Sequence, residues 1–201
     1  MGKIITKKDI GNETYKIIYA DPPWYYKGNV NAGRVLDKRS DISASLIYPT
    51  MKPAEMEAEF GPMINQLADP LGALMFMWVT NSHWPQAINL AKSAGFEFVN
   101  VAFVWNKLKT NLGAYTNPQC EYVALFKKGM PVKSLGKCDD CKVRQLVEVK
   151  AERKHSRKPD IVRQKIIDLW PEAKRIELFA RDLPEGFDVF GNEVGKYEIN
   201  K

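Results

Sequence analysis

The chain has 201 residues with 45% hydrophobic and 27% charged content, which is typical of one globular domain with a single core. No linker, no apolar run of about eighteen residues and no signal-peptide pattern is visible, so we expect one domain over residues 1–201, in the cytoplasm and without a membrane segment. The net charge of +6 favours an anionic partner, and the odd number of cysteines, three, does not make a disulfide framework.

The first predicted strand covers residues 16–20, an apolar run that ends at Asp21 because Pro22 and Pro23 cannot donate to a sheet ladder. Residues 25–50 are polar and long for a loop in a compact domain, and such loops are usually functional lids or partly disordered. A helix is predicted over residues 53–60, with proline and acidic residues in its first turn. The abrupt end of the first strand marks the first candidate site.

The remaining predicted elements alternate between strands and helices. Residues 73–80 predict a buried strand, and Asn81 or Ser82 a cap for a helix that runs to Gly95. Further strands are predicted over residues 98–105, 121–127, 175–180 and 187–190. A last helix begins near Pro159 and places its apolar side chains on one face: Val162, Ile166, Leu169 and Trp170.

This alternation predicts an α/β fold, with a parallel or mixed sheet covered by helices on both faces. In open sheets of this kind, ligands bind beyond the carboxyl ends of the strands. Asp21 and Arg181 both follow directly on predicted strands. We therefore expect both residues at a ligand-binding edge of the sheet.

The tetrapeptide Asp21-Pro22-Pro23-Trp24 combines an acceptor, a rigid frame and an aromatic surface. Two consecutive prolines restrict the backbone and donate no N–H, so their carbonyls are held rigidly. A carboxylate and such a carbonyl, each about 3 Å from an exocyclic amine, can hold its N–H bonds, and the aromatic ring can stack on a planar base. The alternative is a Pro-Pro turn with an aspartate cap and a core tryptophan. By itself the tetrapeptide indicates only an amine-binding strand end.

Segments that resemble those of one known family lie along nearly the whole chain. Residues 17–24 resemble the segment around the DPPW motif of the MT-A70 family of N6-adenine methyltransferases. Other segments similar to that family are, in chain order, Tyr48-Pro49-Thr50-Met51, Trp78-Val79-Thr80, Val104-Trp105-Asn106-Lys107, residues 155–160, residues 175–181 and Gly191-Asn192-Glu193. The resemblance implies a Rossmann-like methyltransferase fold in permuted order, with the catalytic motif ahead of the cofactor-binding strand. Such an order explains why no Gly-x-Gly-x-x-Gly follows the first strand.

The resemblance also implies an activity: transfer of a methyl group from S-adenosyl-L-methionine to the N6 amine of adenine in nucleic acid. The expected catalytic residues are Asp21, Pro22, Pro23 and Trp24. The expected cofactor-binding residues are Asp21, Lys158, Glu177, Phe179, Arg181, Asn192 and Glu193. Among them Glu177 is expected to bind the cofactor ribose, with a charge beside an edge strand as the alternative. For Phe179 the alternative is a core aromatic.

On the substrate side the expected residues are Trp24, Tyr25, Glu121, Lys107 and Arg157. Trp24 is expected to stack on the adenine and Tyr25 to flank it, with packing as the alternative for Tyr25. Glu121 is expected near the mouth of the site, and Lys107 and the basic stretch at 150–165 are candidate phosphate contacts. Because a base inside a duplex does not reach such a site, the adenine is expected to be flipped or single-stranded.

The sequence defines the type of nucleic acid and the protein partners less closely than the reaction. Compact prokaryotic and phage members of the family look like this chain, which favours DNA over RNA, in a prokaryotic or phage-infected cell. A homodimer or a partner subunit is compatible with the sequence. The alternative to an active enzyme is an inactive, nucleic-acid-binding subunit of a methyltransferase complex. Loss of activity should first alter the catalytic tetrapeptide, which is intact.

Two features are not assigned to the reaction. Cys138 and Cys141 have the spacing of a zinc knuckle or a redox pair. A structural zinc needs four ligands, and the chain has only Cys120 and two histidines besides, so we expect no metal. His83 is interpreted as a residue at the start of a helix rather than as a catalytic base.

Overall fold

The computed structural model describes residues 2–25, 51–112, 115–129, 136–151, 157–192 and 194–195. Within them seven strands form one sheet: β1 (Ile17–Ala20), β2 (Gly72–Val79), β3 (Glu97–Asn106), β4 (Cys120–Gly129), β5 (Leu146–Glu148), β6 (Arg175–Leu178) and β7 (Asp188–Phe190). The helices in the same residues are α1 (Pro53–Leu67), α2 (Trp84–Ser93) and α3 (Ile161–Leu169). None of these helices is long and apolar enough to cross a membrane.

The sheet is mixed, with the strand order β5-β3-β4-β2-β1-β6-β7. β1 lies between β2 and β6 and is parallel to both, and β7 continues this parallel half beside β6. β4 runs antiparallel to β2 and β3, whereas β5 is parallel to β3. Because the described residues between β3 and β4 contain no helix, the chain returns directly beside β3 in the opposite direction. The predicted α/β class is confirmed.

Apolar layers cover both faces of the sheet. All eight residues of β2 are buried, as expected for a strand with a packed layer on each side. Successive side chains of β2 alternate between the layers, so that Met75 faces α1 and α2 and Phe76 faces α3. The layer around Met75 includes Ile64 of α1 and Leu90 of α2, and the opposite layer includes Ile166 of α3.

Some boundaries differ from the prediction. The N-cap of α2 is His83, and neither Asn81 nor Ser82 takes that position. β6 ends at Leu178, two residues earlier than predicted, because Phe179 has a φ of 61° and leaves the extended region. β5 has three residues, of which one is buried, so it carries almost no periodic signal.

Cys138 and Cys141 are joined by a disulfide, and their Cα atoms lie 5.5 Å apart. A bridge between residues three positions apart closes a short loop and connects no distant elements, so it is not a framework for the fold. Cys120 is a free thiol. In the ranges that the structure describes, no group of three or more histidine, cysteine, aspartate or glutamate side chains is placed to hold a metal ion.

The ends of four strands meet at one edge of the sheet, which we call the carboxyl edge. Ala20, the last residue of β1, pairs with Met77 of β2 and Leu178 of β6. Val79 at the end of β2 pairs with Tyr122. Because β4 is antiparallel, its amino end lies at this edge, and the register brings Glu121 to the same edge as the residue that follows β1.

Candidate active site

Asp21 is the first residue after β1, and its side chain is 19% exposed at the carboxyl edge. The carbonyls that follow are fixed by backbone hydrogen bonds. The Pro22 oxygen accepts from the Trp24 N–H at 2.8 Å, and the Pro23 oxygen accepts from the Met51 N–H at 3.1 Å. A carbonyl oxygen has two lone pairs, so each of them can accept one more hydrogen bond. The tetrapeptide therefore holds rigid acceptors beside a partly exposed carboxylate.

Trp24 lies in the core, with 4% of its surface exposed. Its indole Nε1–H donates to the Trp78 carbonyl at 3.1 Å, and its ring stacks on the ring of His83 with the centroids 5.7 Å apart. His83 Nε2 in turn lies 3.2 Å from the Tyr25 carbonyl oxygen. One face of Trp24 is therefore occupied by His83, and stacking of its other face on a base stays a prediction.

Trp24→Phe removes the indole donor together with the five-membered part of the buried ring. The substitution keeps an aromatic side chain but leaves the buried Trp78 carbonyl without the indole donor. We expect the free energy of unfolding to fall by about 1–3 kcal/mol, as for a buried acceptor that loses its partner. Urea denaturation of the two proteins measures the difference. An unchanged free energy would contradict a stabilising role for this hydrogen bond and for the packing of the indole ring.

Four charged side chains form a line across the carboxyl edge. Lys158 Nζ lies 3.0 Å from Asp21 Oδ2 and 3.4 Å from Glu121 Oε2. Lys107 Nζ lies 3.2 Å from Glu121 Oε1. The exposure of these side chains is between 10% and 19%, so the pairs are only weakly screened by solvent. The line joins residues that the sequence analysis predicted for the site from four separate segments.

The two lysines determine the ionisation of Glu121. Burial alone would raise the pKa of Glu121, but Lys158 and Lys107 lower it below its usual value of 4.5. Because this pKa is lower in the folded chain than in the unfolded one, ionised Glu121 stabilises the fold. The stabilisation is complete above pH 4.5 and is lost as the pH falls through the lowered pKa.

Glu121→Gln tests this linkage. The variant is expected to melt at a lower temperature than the wild type at neutral pH, because it has no charge between the two lysines. As the pH falls below 4.5 the wild type loses its advantage, so the difference in melting temperature should shrink. Thermal unfolding of both proteins over a pH series measures it. A difference that stays constant with pH would contradict the lowered pKa.

Glu177 in β6 is 4% exposed, and Arg163 of α3 binds both of its carboxylate oxygens. Nε and Nη2 of Arg163 each lie 2.7 Å from one oxygen, and Nη2 also donates to Asp182 at 2.9 Å. Burial alone would lower the pKa of Arg163, but the facing Glu177 raises it above its usual value. The pair is a buried, bidentate ion pair. The predicted ribose contact of Glu177 would have to use the lone pairs that Arg163 leaves free.

An open cleft lies beside Asp21, between the ends of β1 and β6 and the segment that precedes α3. Its lining includes six residues predicted for the site: Asp21, Arg157, Lys158, Glu177, Phe179 and Arg181. Tyr19, Arg163 and Asp182 complete the lining. The cleft thus offers carboxylates, cations and an aromatic ring within one concave surface.

Two backbone features shape the end of this cleft. The φ of 61° at Phe179 lies in the left-handed region, which residues other than glycine rarely occupy. Gly191 lies so close to Ala180 that a Cβ atom there would overlap the Ala180 carbonyl oxygen, so the position requires glycine. Asn192 follows at an exposed position, and Glu193 lies outside the described residues.

Residues 15–193 of the chain match the model of the MT-A70 family. The chain belongs to the MT-A70 family. The Type II methyltransferase M.MunI of a Mycoplasma species is 39% identical over 194 residues, which cover 92% of this chain and 80% of that protein. An N(6)-adenosine-methyltransferase MT-A70-like protein of Arabidopsis thaliana is 26% identical over 193 residues, which cover 90% of this chain but 24% of that protein. The match to the family model and the identity to M.MunI make the chain an adenine methyltransferase.

The predicted substrate residues of this MT-A70 domain differ in how far their side chains are exposed to solvent. Lys107 was expected to contact phosphate, but its side chain is 10% exposed and its ammonium is bound to Glu121, so it is not a surface cation. Arg157 donates to Asp160 at 3.0 Å and keeps 26% of its side chain exposed. Tyr25 is 42% exposed. Arg157 and Tyr25 are therefore accessible to a substrate.

The sequence analysis missed three residues that line this MT-A70 site, Tyr19, Arg163 and Asp182, of which Arg163 makes the most charged contacts. Arg163 follows Val162 on the buried face of α3, where an unpaired charge would be costly. Because a buried arginine requires a carboxylate partner, its place on the apolar face of a predicted helix was the signal in the sequence that could have identified it. His83 was correctly predicted at a helix start, since it is the N-cap of α2, but its stack on Trp24 depends on contacts that no local pattern indicates.

Proposed function

We propose that this enzyme transfers a methyl group from S-adenosyl-L-methionine to the N6 amine of adenine in DNA, in the cytoplasm. The observation that carries the proposal is the carboxylate of Asp21, which lines the cleft directly ahead of the rigid carbonyls of Pro22 and Pro23. An exocyclic amine has two N–H donors, and a carboxylate with an adjacent carbonyl offers two matching acceptors. Membership of the MT-A70 family supports the same reaction class.

The residues of the tetrapeptide act through position and charge. Asp21 and the second lone pair of the Pro22 carbonyl would accept the two N–H bonds of the amine, which directs the nitrogen lone pair out of the plane of the base. S-adenosyl-L-methionine, when bound, supplies an electrophilic methyl group on a sulfonium. Orientation of the amine provides most of the rate acceleration, and the released proton passes to Asp21 or to water. Lys158, 3.0 Å from Asp21, holds that carboxylate in place.

The chemistry of the cleft suits the parts of this methyl donor. Its amino group would be bound by Asp21 or Asp182, and its carboxylate by Lys158 or Arg181. The ring of Phe179 offers a surface for the adenine of the donor. Glu177, Asn192 and Glu193 are the candidates for the ribose hydroxyls and the adenine edge. The amino group and the carboxylate of the donor thus each have side chains of opposite charge in the lining.

DNA is favoured over RNA by the comparison with known proteins. The relative of which 80% is covered carries the name of a Type II methyltransferase, whereas the plant N(6)-adenosine-methyltransferase relative is covered over 24% of its length. The net charge of +6 suits a polymer of phosphates, and Arg157 is a candidate contact. Because the site lies in a cleft, the adenine would be extruded from a duplex or taken from a single strand.

Transfer of labelled methyl groups from S-adenosyl-L-methionine to unmethylated DNA and unmodified RNA tests the proposal. We expect label on DNA, little on RNA and none on either with the Asp21→Ala variant. Label on RNA alone would contradict the choice of polymer. Equal transfer by Asp21→Ala would contradict the mechanism. No label on either polymer, with the methyl donor still bound, would favour an inactive nucleic-acid-binding subunit.

A further inference from the structure

The connection between β3 and β4 continues the antiparallel pairing beyond the sheet. Lys107 N–H donates to the Gln119 carbonyl at 3.1 Å, and Asn111 N–H donates to the Pro118 carbonyl at 3.0 Å. These bonds make the connection a defined structural feature, which we call the β3–β4 projection. Its described residues are 107–112 and 115–119.

The base of the β3–β4 projection is bonded to the candidate active site. Lys107, its first residue, binds Glu121, which contacts Lys158, and Lys158 is paired with Asp21. The projection leaves the sheet between the last residue of β3 and the first residue of β4, which are paired with each other. It therefore begins at the carboxyl edge, on the same side of the sheet as the catalytic carboxylate.

Two apolar side chains of the β3–β4 projection are almost completely exposed. Tyr115 is 100% exposed and Leu112 is 95% exposed. Single exposed apolar residues are common on protein surfaces. These two, however, lie on a hydrogen-bonded projection beside a site that takes an extruded base, together with the exposed Lys109. An aromatic ring and a cation in that position suit the bases and phosphates of a nucleic acid.

We propose that Tyr115 enters the base stack of duplex DNA and fills the space that the target adenine leaves on its way to Asp21. This inference rests on the proposed function. Extrusion of a base removes its stacking contacts, and an inserted side chain replaces part of them. Tyr115 is 100% exposed in the free protein, so its insertion into DNA does not require it to leave a buried position. Lys109 contacts the neighbouring phosphate.

Methylation of one unmethylated genomic DNA, in native and in heat-denatured form, tests the insertion of Tyr115. Tyr115→Ala is expected to lower kcat/KM on native DNA by about tenfold or more and to leave it within about twofold on denatured DNA, since a single strand needs no extrusion. Tyr115→Phe keeps the ring and should behave like the wild type. Leu71→Ala is the control, because Leu71 is 72% exposed and lies just ahead of β2, at the opposite edge. Equal losses on the two forms, or no loss on native DNA, would overturn the inference.

A second measurement is independent of methyl transfer. Permanganate oxidises unstacked thymines, so the wild type bound to native DNA should increase the reactivity of thymines opposite extruded adenines. Tyr115→Ala at equal occupancy should abolish this increase. If the wild type transfers no methyl group but gives the Tyr115-dependent increase, the proposed function fails and the insertion stands. If the wild type gives no increase, or the variant gives the same increase, the insertion is overturned.

Discussion

Asp21→Asn is expected to lower kcat for methyl transfer by about 10²- to 10³-fold while the protein stays folded. The amide has nearly the same shape as the carboxylate, but it carries no charge and has a single acceptor oxygen. If that oxygen accepts from Lys158, which lies 3.0 Å from Asp21, the NH2 group of the amide faces the amine as a donor. One of the two acceptors for the amine is thereby weakened, and the lone pair of the nitrogen stays delocalised into the ring. Steady-state kinetics with saturating methyl donor measures the effect.

The control for this prediction is Asp168→Asn. Asp168 is an exposed residue of α3 that accepts a hydrogen bond from Gln164 and is not among the residues that line the cleft. Its variant should keep the wild-type kcat. The melting temperatures of both variants show whether a loss of activity reflects a loss of folded protein. An Asp21→Asn enzyme that keeps its kcat within about threefold would contradict a role for the carboxylate in the chemical step.

Arg163→Met is expected to destabilise the protein by about 3–5 kcal/mol, which is the largest loss of stability that we predict. The side chains of Arg163 and Glu177 are 10% and 5% exposed, so the variant leaves a carboxylate buried without its bidentate partner. Methionine fills a similar volume, which limits the contribution of a cavity. Chemical denaturation measures the difference in the free energy of unfolding.

The double variant Arg163→Met, Glu177→Leu separates the ion pair from the packing around it. Removal of both charges leaves Asp182 and Asp160 without Arg163, but their side chains are 16% and 60% exposed and are more hydrated than Glu177. Because no fully buried ion is left uncompensated, most of the lost stability should return. Lys165→Met, at a partly exposed position of α3, is the control and should change the stability by less than about 1 kcal/mol. A double variant as unstable as the single one would contradict the view that the buried charge causes the loss.

Much of the fold could be predicted from local sequence patterns, and the corresponding elements are present in the structure. The apolar run before Asp21 predicted β1, since a strand that ends at two prolines needs no distant information. β2 was predicted from a continuous apolar run, and it is buried along its whole length. β5 and the antiparallel direction of β4 could not be predicted in the same way, because both depend on which strands become neighbours. Strand order is a property of long-range packing.

The same distinction between local sequence patterns and long-range packing applies to the candidate site. Asp21 and Lys158 were predicted from motifs, and the structure places their charged atoms 3.0 Å apart. The burial of Lys107 was not predicted, because an isolated lysine in a sequence gives no indication that a glutamate fourteen residues later will bind it. The same holds for Arg163, whose carboxylate partners come from β6 and the segment after it. Motifs indicate residue types at strand ends, whereas tertiary contacts determine which of them are free to bind a ligand.

Mass spectrometry of the nucleosides from DNA treated with the wild-type enzyme and S-adenosyl-L-methionine tests the central claim most directly. Asp21 and the proline carbonyls would hold an exocyclic amine, and family membership assigns that amine to adenine. The predicted product is N6-methyladenine, absent from DNA treated with Asp21→Ala. Methylation of the cytosine amine would contradict the assignment of the base. Methylation at a ring carbon would contradict the role of the tetrapeptide as an amine-binding site.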